Sequence, residues 1–186
     1  ADKYKVPRVC FINKLDRTGA SFEDSYASIL DRLSPKAIRM QIPVGEESAH
    51  EGVIDLLTSK SYAFSGNMGE EVIEGEVPPA LLEDAKKYRA ALIERIVEQD
   101  DAAMNAYLEG KEPSLAELKS ILRKAVIKNE IFPVYCGSAL KNKGVQLVLD
   151  AVVDYLPSPL DLPPATGTNP LSGEPIKRHA SDDEPF

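Results

Sequence analysis

Two short apolar runs stand far apart in the chain, and each leads into an amphipathic segment. The runs cover residues 9–12 and 131–136 and contain no charged side chain, which is typical of strands buried on both faces of a parallel sheet. Apolar positions then recur at helical spacing in residues 22–33 and 145–156, so each strand is predicted to lead into a helix. Pro133 lies inside the second run, and this disfavours a central position for that strand.

The stretch between these two strand–helix units has a different pattern. Apolar residues alternate at positions 38–42, and short apolar runs follow at 53–57 and 61–64, separated by turn-forming residues. This pattern predicts a small antiparallel sheet. Helical spacing returns after the prolines at 78–79, and residues 114–117 match a capping box that begins a later helix. The middle of the chain is therefore predicted to mix strands and helices.

These patterns predict an α/β fold in which a partial parallel sheet is interrupted by an inserted α+β subdomain. Residues 162–170 have the composition of a linker, and residues 181–185 are too polar to be buried. The predicted division has four segments: residues 1–34 and 129–158 form the two parts of the sheet domain, residues 35–128 form the inserted subdomain, and residues 159–186 form a linker and the start of a further domain.

The net charge argues against one broad class of partner. The chain has 22 Lys and Arg against 30 Asp and Glu, a formal net charge of −8, so it lacks the basic surface with which proteins bind nucleic acid or anionic membranes through bulk charge. No apolar run approaches the roughly 20 residues of a membrane span. Cys10 and Cys136 lie in apolar runs without a Cys or His at metal-binding spacing, so neither a disulfide framework nor a zinc site is predicted. These features favour a location in the cytoplasm.

The first motif with chemical potential follows the first predicted strand. It contains Asn13, Lys14 and Asp16, and polar groups at the carboxyl ends of parallel strands are where such sheets bind ligands. The Asp16 carboxylate is suited to accept both N1–H and N2–H of guanine, and a bidentate pair of this kind discriminates between bases by about 1–3 kcal/mol. Asn13 is suited to hydrogen-bond the base edge and nearby backbone, while the Lys14 stem can lie along the purine face.

The second motif follows the second predicted strand and complements the first. It consists of Gly137 followed by Ser138, Ala139 and Leu140. A loop of small residues allows the backbone N–H of Ala139 to approach guanine O6, whereas the amino group of adenine would repel that donor. The two loops are therefore predicted to read opposite edges of one base.

Three stretches together carry a family resemblance. Residues 13–17 (Asn-Lys-Leu-Asp-Arg), 137–146 (Gly-Ser-Ala-Leu-Lys-Asn-Lys-Gly-Val-Gln) and 155–159 (Tyr-Leu-Pro-Ser-Pro) closely resemble the elongation factor G family of translational GTPases. The resemblance covers about residues 1–164. It implies the second half of a P-loop NTPase-like GTP-binding domain with its inserted subdomain. It also implies GTP or GDP as ligand, Mg²⁺ in the whole protein, and a ribosomal partner, the stalk protein of the large subunit, bound by the insertion.

The phosphate-binding part of such a site is missing from the sequence. The only Gly-Lys step, at residues 110–111, has no Gly at the required spacing and is followed by Glu112, so the Gly-x-x-x-x-Gly-Lys-Ser/Thr loop is absent. We therefore predict no catalytic residue and no metal ligand in this chain, and no GTP hydrolysis by the chain alone. Because the sequence opens without Met and stops in a polar stretch, we expect a piece of a longer protein.

Two other functions stay open at this level. The chain can be a non-catalytic module in which the insertion binds the stalk protein, or it can come from a related translational GTPase, such as release factor three or a ribosomal protection protein. A bacterial source is favoured and an organellar one is left open. No membrane partner and no sequence-specific nucleic acid are expected.

Several other polar residues are interpreted as ordinary solvent-exposed groups. His50 is predicted to lie in a solvated turn, Glu46 and Glu47 to be mobile loop charges, and Lys141 and Lys143 to be solvated loop lysines. The two cysteines are predicted to be buried strand residues without reactivity.

Overall fold

The protein is described by a computed structural model that covers residues 2–181. Five α-helices and nine strands, with four short 3₁₀ helices, make up the regular structure of these residues. Their bounds, in chain order, are: 3₁₀ Asp2–Tyr4, β1 Cys10–Ile12, α1 Phe22–Arg32, β2 Ala37–Arg39, β3 Gln41–Val44, 3₁₀ Glu47–Ala49, β4 Gly52–Asp55, β5 Lys60–Ser65, β6 Glu71–Gly75, 3₁₀ Pro79–Leu81, α2 Leu82–Val97, α3 Asp101–Leu108, α4 Leu115–Ile127, β7 Phe132–Cys136, α5 Val145–Tyr155, 3₁₀ Pro159–Asp161, β8 Ala165–Thr168 and β9 Pro175–Arg178.

The strands β1, β7 and β2 form a three-stranded parallel sheet in the order β1-β7-β2. Strands that are far apart in the sequence are thus neighbours in this sheet. The prediction about Pro133 was wrong, since β7 is the central strand. The N–H groups of Phe132 and Cys136 point toward the β2 side, where they donate to Lys36 O and Gln41 Oε1. Alternation along the strand therefore turns the Pro133 nitrogen toward β1, whose pairing begins one residue later, at Val134. No hydrogen bond is lost by the absence of that N–H.

The second sheet is antiparallel and has the order β3-β4-β5-β6, as the alternating pattern predicted. One strand was assigned to the wrong sheet. Ala37–Arg39 was expected in the insertion, but it pairs in parallel with Phe132–Val134. The antiparallel sheet begins only at Gln41, so the chain passes from one sheet to the other at Met40. A short alternating run cannot show which sheet its strand joins, because that depends on a partner about 95 residues away.

The helices follow the capping signals in the sequence. Ser21 caps α1 by accepting the N–H of Asp24, and Ser114 with Glu117 forms the capping box that begins α4. The break between α2 and α3 falls at Asp100, whose side chain accepts the N–H groups of Ala102 and Ala103. Such caps satisfy orphan donors at the helix start.

Two apolar clusters lie on the two sides of the parallel sheet, and both include residues of the insertion. The larger cluster is built around α2 and α4, with members from β2, β7 and α5. The smaller one groups Ile12, Leu15 and Phe22 with Val53 and Phe64 of the antiparallel sheet. The insertion therefore does not have a core of its own. This is a mixed α/β fold, as predicted, in which a domain with a parallel sheet carries an inserted subdomain.

The described residues fall into two compact units, residues 2–156 and residues 157–181. Part of the segment predicted as a linker forms an antiparallel hairpin of β8 and β9. Its turn is closed by Asn169, whose side chain accepts the N–H of Leu171 and Ser172. The polar stretch 181–185 lies almost wholly outside the described residues. No helix within residues 2–181 has both the length and the apolar character needed to cross a membrane.

Candidate functional site

The two predicted loops lie side by side because β1 and β7 are neighbouring parallel strands. Leu15 N–H donates to Gly137 O over 3.1 Å, and Gly137 N–H donates to Ile12 O over 3.0 Å. These two bonds continue the strand pairing into the loops. The structure thus brings the two sequence motifs together at one edge of the sheet.

Asn13 ties the first loop to the second. Its Oδ1 accepts the N–H of Lys14 at 2.7 Å and the N–H of Ala139 at 2.9 Å. The contact with backbone was predicted, but the partner was not: the Ala139 N–H, which we assigned to guanine O6, donates to Asn13 here. Lys14 itself has a left-handed backbone, φ 67°. The Asn13 side chain stabilises this conformation, which is otherwise uncommon for a residue other than Gly.

Asp16 and Ser138 form the acidic centre of the site. A hydrogen bond from the Ser138 side chain is the main reason why the pKa of Asp16 lies below its usual value, with smaller contributions from the charges of Arg17 and Lys141. Ser138 is fully buried. The carboxylate is therefore ionised at neutral pH.

One carboxylate oxygen of Asp16 can still accept hydrogen bonds. Within residues 2–181, Oδ1 is closed to solvent and has no hydrogen-bond partner. A buried carboxylate oxygen without a donor is costly. The residues therefore fit a ligand that brings its own N–H donors to this crevice, as the guanine edge does. Since Oδ1 is closed to solvent, such a ligand reaches it only after a small movement of the surrounding side chains.

The second loop is a tight turn stabilised by its own backbone. Ser138 and Lys143 exchange two hydrogen bonds of 2.9 Å, and Lys141 N–H donates to Ser138 Oγ. Gly144 closes the turn with φ 84°, and a Cβ there would lie 2.5 Å from Cys136 O. Only Gly fits this position without moving the end of β7. The side chain of Leu140 is exposed, so this predicted site residue contributes through its place in the turn.

Residues of the insertion contact the site from the side, and here several predictions were wrong. Glu46 Oε1 accepts the N–H of Phe22, and Glu47 Oε1 accepts the N–H of Gly19, both at 2.7 Å. These glutamates are therefore not mobile charges. Lys143 is not a free solvated lysine either, since its Nζ donates to His50 O at 2.6 Å. No local sequence signal marks contacts between residues so far apart.

His50 is buried, with 2% of its surface exposed, although a solvated turn was predicted. Its Nδ1 lies 3.1 Å from Gly45 O. Burial lowers the pKa of His50, and this outweighs the hydrogen bond to Gly45, which raises it. Ser48, Ala49 and Glu51 beside it are exposed, so the polar character of this stretch gave no sign that one ring in it is buried.

The cysteines and the acidic residues offer no further chemistry. Cys136 is fully buried as predicted, and burial raises the pKa of its thiol far above the usual range; Cys10 is only half-buried. A thiol with a raised pKa is a poor nucleophile. Across residues 2–181, no group of three or more His, Cys, Asp and Glu side chains is arranged to hold a metal ion.

Comparison with known proteins agrees with this geometry. Residues 1–158 match the family model described as the elongation factor Tu GTP binding domain. The fold is similar to a crystal structure of a protein from Thermus thermophilus, with a TM-score of 0.77 and 27% sequence identity over 95% of this chain. The match covers 27% of that protein's chain, so this sequence spans about a quarter of its length. The chain therefore belongs to the elongation factor Tu GTP-binding domain family, the guanine-nucleotide-binding GTPase domains of translation factors.

Proposed function

We propose that this chain is the guanine-reading part of an elongation factor G-type translational GTPase. One observation carries the proposal. The two motif loops are hydrogen-bonded to each other at the carboxyl ends of adjacent parallel strands, and Asp16 between them has one oxygen to which no group of residues 2–181 donates. The site residues are Asn13, Lys14, Asp16, Ser138, Ala139 and Leu140.

The chemistry of selection centres on Asp16. Its carboxylate accepts N1–H and N2–H of guanine, a donor pair that adenine lacks, and the Ser138 hydroxyl keeps it ionised and aligned. The Lys14 stem covers one face of the base. In the free chain the Ala139 N–H donates to Asn13 Oδ1. When guanine binds, this N–H turns in part toward O6 of the base.

The rest of the reaction belongs to the whole protein. In this proposal, residues outside the present sequence hold the phosphates and Mg²⁺, and GTP hydrolysis drives the movement of tRNA and mRNA on the ribosome in the cytoplasm. What the present residues supply is recognition: they bind and orient the base, so that only a guanine nucleotide is presented to the phosphate site.

A groove in the insertion favours a second candidate function, binding of the ribosomal stalk protein. The groove has a volume of about 450 Å³ and lies between α3 and α4. Its floor contains the apolar side chains of Ala103, Ala106, Pro113 and Ile121, and Lys111 and Lys124 are among its polar lining residues. Such a surface fits an amphipathic segment of a partner. Binding of the stalk protein without nucleotide would support a module of this kind, and release factor three or a ribosomal protection protein are related hosts for it.

The proposal is tested by titrating the chain with GDP and with ADP, followed by ligand-observed NMR. We expect GDP to bind more tightly, and Asp16→Ala to reduce this preference about 10- to 100-fold, the equivalent of a bidentate base contact. The matched control is Asp31→Ala, an exposed aspartate on α1, which should change nothing. Equal binding of GDP and ADP by the unaltered chain contradicts the proposal.

A second substitution tests the direction of the hydrogen bonds. Asp16→Asn places an amide donor opposite N2 of guanine, so xanthosine diphosphate, which has an oxygen there, should become the preferred ligand. Unchanged preference for GDP in Asp16→Asn would show that another group reads the base.

A further inference from the structure

The inserted antiparallel sheet touches each of the two motif loops separately. On the first loop the contacts come from Glu47, which follows β3. On the second they come from His50 and from the turn between β5 and β6. The two loops and the inserted sheet therefore form a closed set of contacts, in which each part is bonded to both others.

The contact with the first loop is made twice by one residue. Glu47 N–H donates to Leu15 O and its Oε1 accepts the N–H of Gly19, both over 2.7 Å. Glu47 itself has a left-handed backbone with φ 54°. A residue other than Gly keeps such a conformation only where its surroundings fix it, and here the N–H, the carboxylate and the carbonyl, which accepts the N–H of His50, are all bonded.

The contact with the second loop is made by the hairpin turn. Gly69 O accepts from Gln146 Nε2 at 3.1 Å and lies 3.4 Å from Asn142 Nδ2. Its backbone approaches so closely that a Cβ at Gly69 would overlap the Lys141 carbonyl oxygen. Lys143 adds a bond from the same loop to His50 O.

The insertion also anchors the first loop through its apolar residue. Leu15, the variable position of the Asn-Lys-x-Asp motif, is 1% exposed. It belongs to the same buried cluster as Val53 of β4 and Phe64 of β5. The side chain between Lys14 and Asp16 thus belongs to a buried cluster that includes residues of the inserted sheet.

We infer that the inserted sheet positions the guanine-reading loops, with Glu47 and Gly69 as positioning residues that set base selectivity without touching the base. This inference rests on the proposed function, because it assigns those loops to guanine. Its consequence is a mechanical link. Whatever displaces the inserted sheet changes the spacing between Asp16 and Ala139, and with it the affinity for guanine.

The test uses the 186-residue chain and two pairs of variants. Glu47→Ala removes the acceptor of Gly19 N–H, and its control Glu51→Ala removes an exposed glutamate of the same segment. Gly69→Ala forces the hairpin away from the second loop. Its control Gly66→Ala lies in the same hairpin and also has a positive φ, but the nearest atoms to a Cβ there belong to the Glu70 side chain, which bonds to Met68 N–H within the turn, and not to the second loop. Glu47→Gln keeps the acceptor and should restore the unaltered behaviour.

Two readouts separate this inference from the proposed function. The first is amide hydrogen exchange of Ala139, which needs no nucleotide and lies far in sequence from both substitutions. We expect exchange to be at least tenfold faster in Glu47→Ala and Gly69→Ala and within twofold of the unaltered chain in both controls. Faster exchange at Gly19 with no change at Ala139 would overturn the inference, because the contact would then be local.

The second readout is the preference for GDP over inosine diphosphate, which lacks the N2 amino group that Asp16 reads. We expect this preference to fall at least fivefold in both test variants, while the helix content measured without nucleotide stays unchanged. Neither control should lose the preference. An unaltered preference in the test variants overturns the inference while leaving the proposed function standing. No guanine preference in the unaltered chain overturns the proposed function and the role assigned to the positioning residues.

Discussion

The helical layer and the loop pair are held in place by different physical means. The layer of α2 and α4 is built from apolar side chains such as Ile96 and Leu122, which are fully buried, and Ser114 caps the start of α4. The loop pair contains few apolar contacts and is fixed by hydrogen bonds and left-handed backbone at Lys14 and Asn142. Burial of apolar side chains contributes much to the free energy of unfolding but depends little on the orientation of the groups. A hydrogen bond contributes less to that free energy, but it requires a narrow range of distances and angles.

This difference implies that stability and selectivity can be altered separately. Substitutions in the helical layer should change the free energy of unfolding and leave base preference unchanged. Substitutions at the loops should change base preference, and they should lower the free energy of unfolding by less than the loss of a large buried apolar side chain does. The predictions below are arranged to test this separation, from the largest effect on stability to the smallest.

Leu122→Ala should have the largest effect. Leu122 lies on α4 and is fully buried in the larger cluster, so truncation removes apolar contacts and leaves a cavity. We expect the free energy of unfolding to fall by about 3 kcal/mol, within the range of buried Leu to Ala substitutions. Urea unfolding measures this, and GDP preference should stay the same at temperatures where the variant is folded. A loss of preference in the folded variant would break the proposed separation.

Gly144→Ala compares the same substitution in the two regions. Gly144 has φ 84° and its new Cβ would lie 2.5 Å from Cys136 O, whereas Gly110, after α3, has φ 82° with no atom within 4 Å. Both variants acquire the left-handed strain of about 1 kcal/mol. Gly144→Ala must also move the second loop, so we expect a total of about 2 kcal/mol and a loss of GDP preference. Thermal unfolding and GDP titration of both variants provide the comparison. Equal effects in the two would show that the loop is not geometrically constrained.

Asp100→Ala should lower the free energy of unfolding by about 1 kcal/mol, as for other N-cap deletions. The Asp100 side chain accepts two N–H groups at the start of α3, and Ala leaves them to water. Base preference should not change, because the contacts of this side chain are to the N–H groups at the start of α3. Asp101→Ala, one position inside the helix, is the control. If Asp100→Ala lowered the free energy of unfolding as much as Leu122→Ala does, α3 would be essential to the packing of the core, although none of its residues is fully buried.

The buried ring of His50 should make stability depend on pH. Because the pKa of His50 is lowered from 6.5 by burial, the unfolded chain takes up a proton below pH 6.5 before the folded chain does. The contribution of neutral His50 is thus complete above pH 6.5 and is lost as the pH falls from there toward the lower folded pKa. The charged groups that act on the ring are Lys143, Asp16 and Glu46.

The measurement is the urea midpoint between about pH 5 and 7.5 for the unaltered chain and for His50→Asn, whose amide can replace the bond to Gly45 O. We expect the slope of the unaltered chain between about pH 5 and 6.5 to be smaller in the variant. An identical slope in both would show that His50 takes up its proton equally in the folded and unfolded states.

Local patterns were sufficient to predict the elements that depend on neighbouring residues. The helices after Ser21 and Ser114 begin where predicted because a cap acts over three or four positions. The two motifs were located as well, and the order of strands in a parallel α/β fold brings their loops to one edge. The predicted roles of the loop residues toward guanine remain predictions.

What the sequence did not reveal are contacts between distant polar residues. Glu47 is separated from Gly19 by 28 positions, and Lys143 from His50 by 93. Arg39 is a further example: its guanidinium lies 3.8 Å from the Tyr88 ring centre and makes two hydrogen bonds to Glu23. The sequence around a charged residue in a short strand does not show that its side chain will be buried against an aromatic ring. Such positions depend on the tertiary structure, which composition and periodicity do not specify.

The hydrogen bond between Asn13 and Ala139 has a consequence for the order in which the protein is made. Its two residues are 126 positions apart, and translation proceeds at about 5–20 residues per second, so the first loop leaves the synthesising ribosome roughly 6 to 25 s before its partner. During that interval β1 has no central strand to pair with, and the Ala139 N–H that bonds to Asn13 has not yet been made. The loop pair is thus among the last features of residues 1–156 to form, after α2, α3 and α4 have already been synthesised.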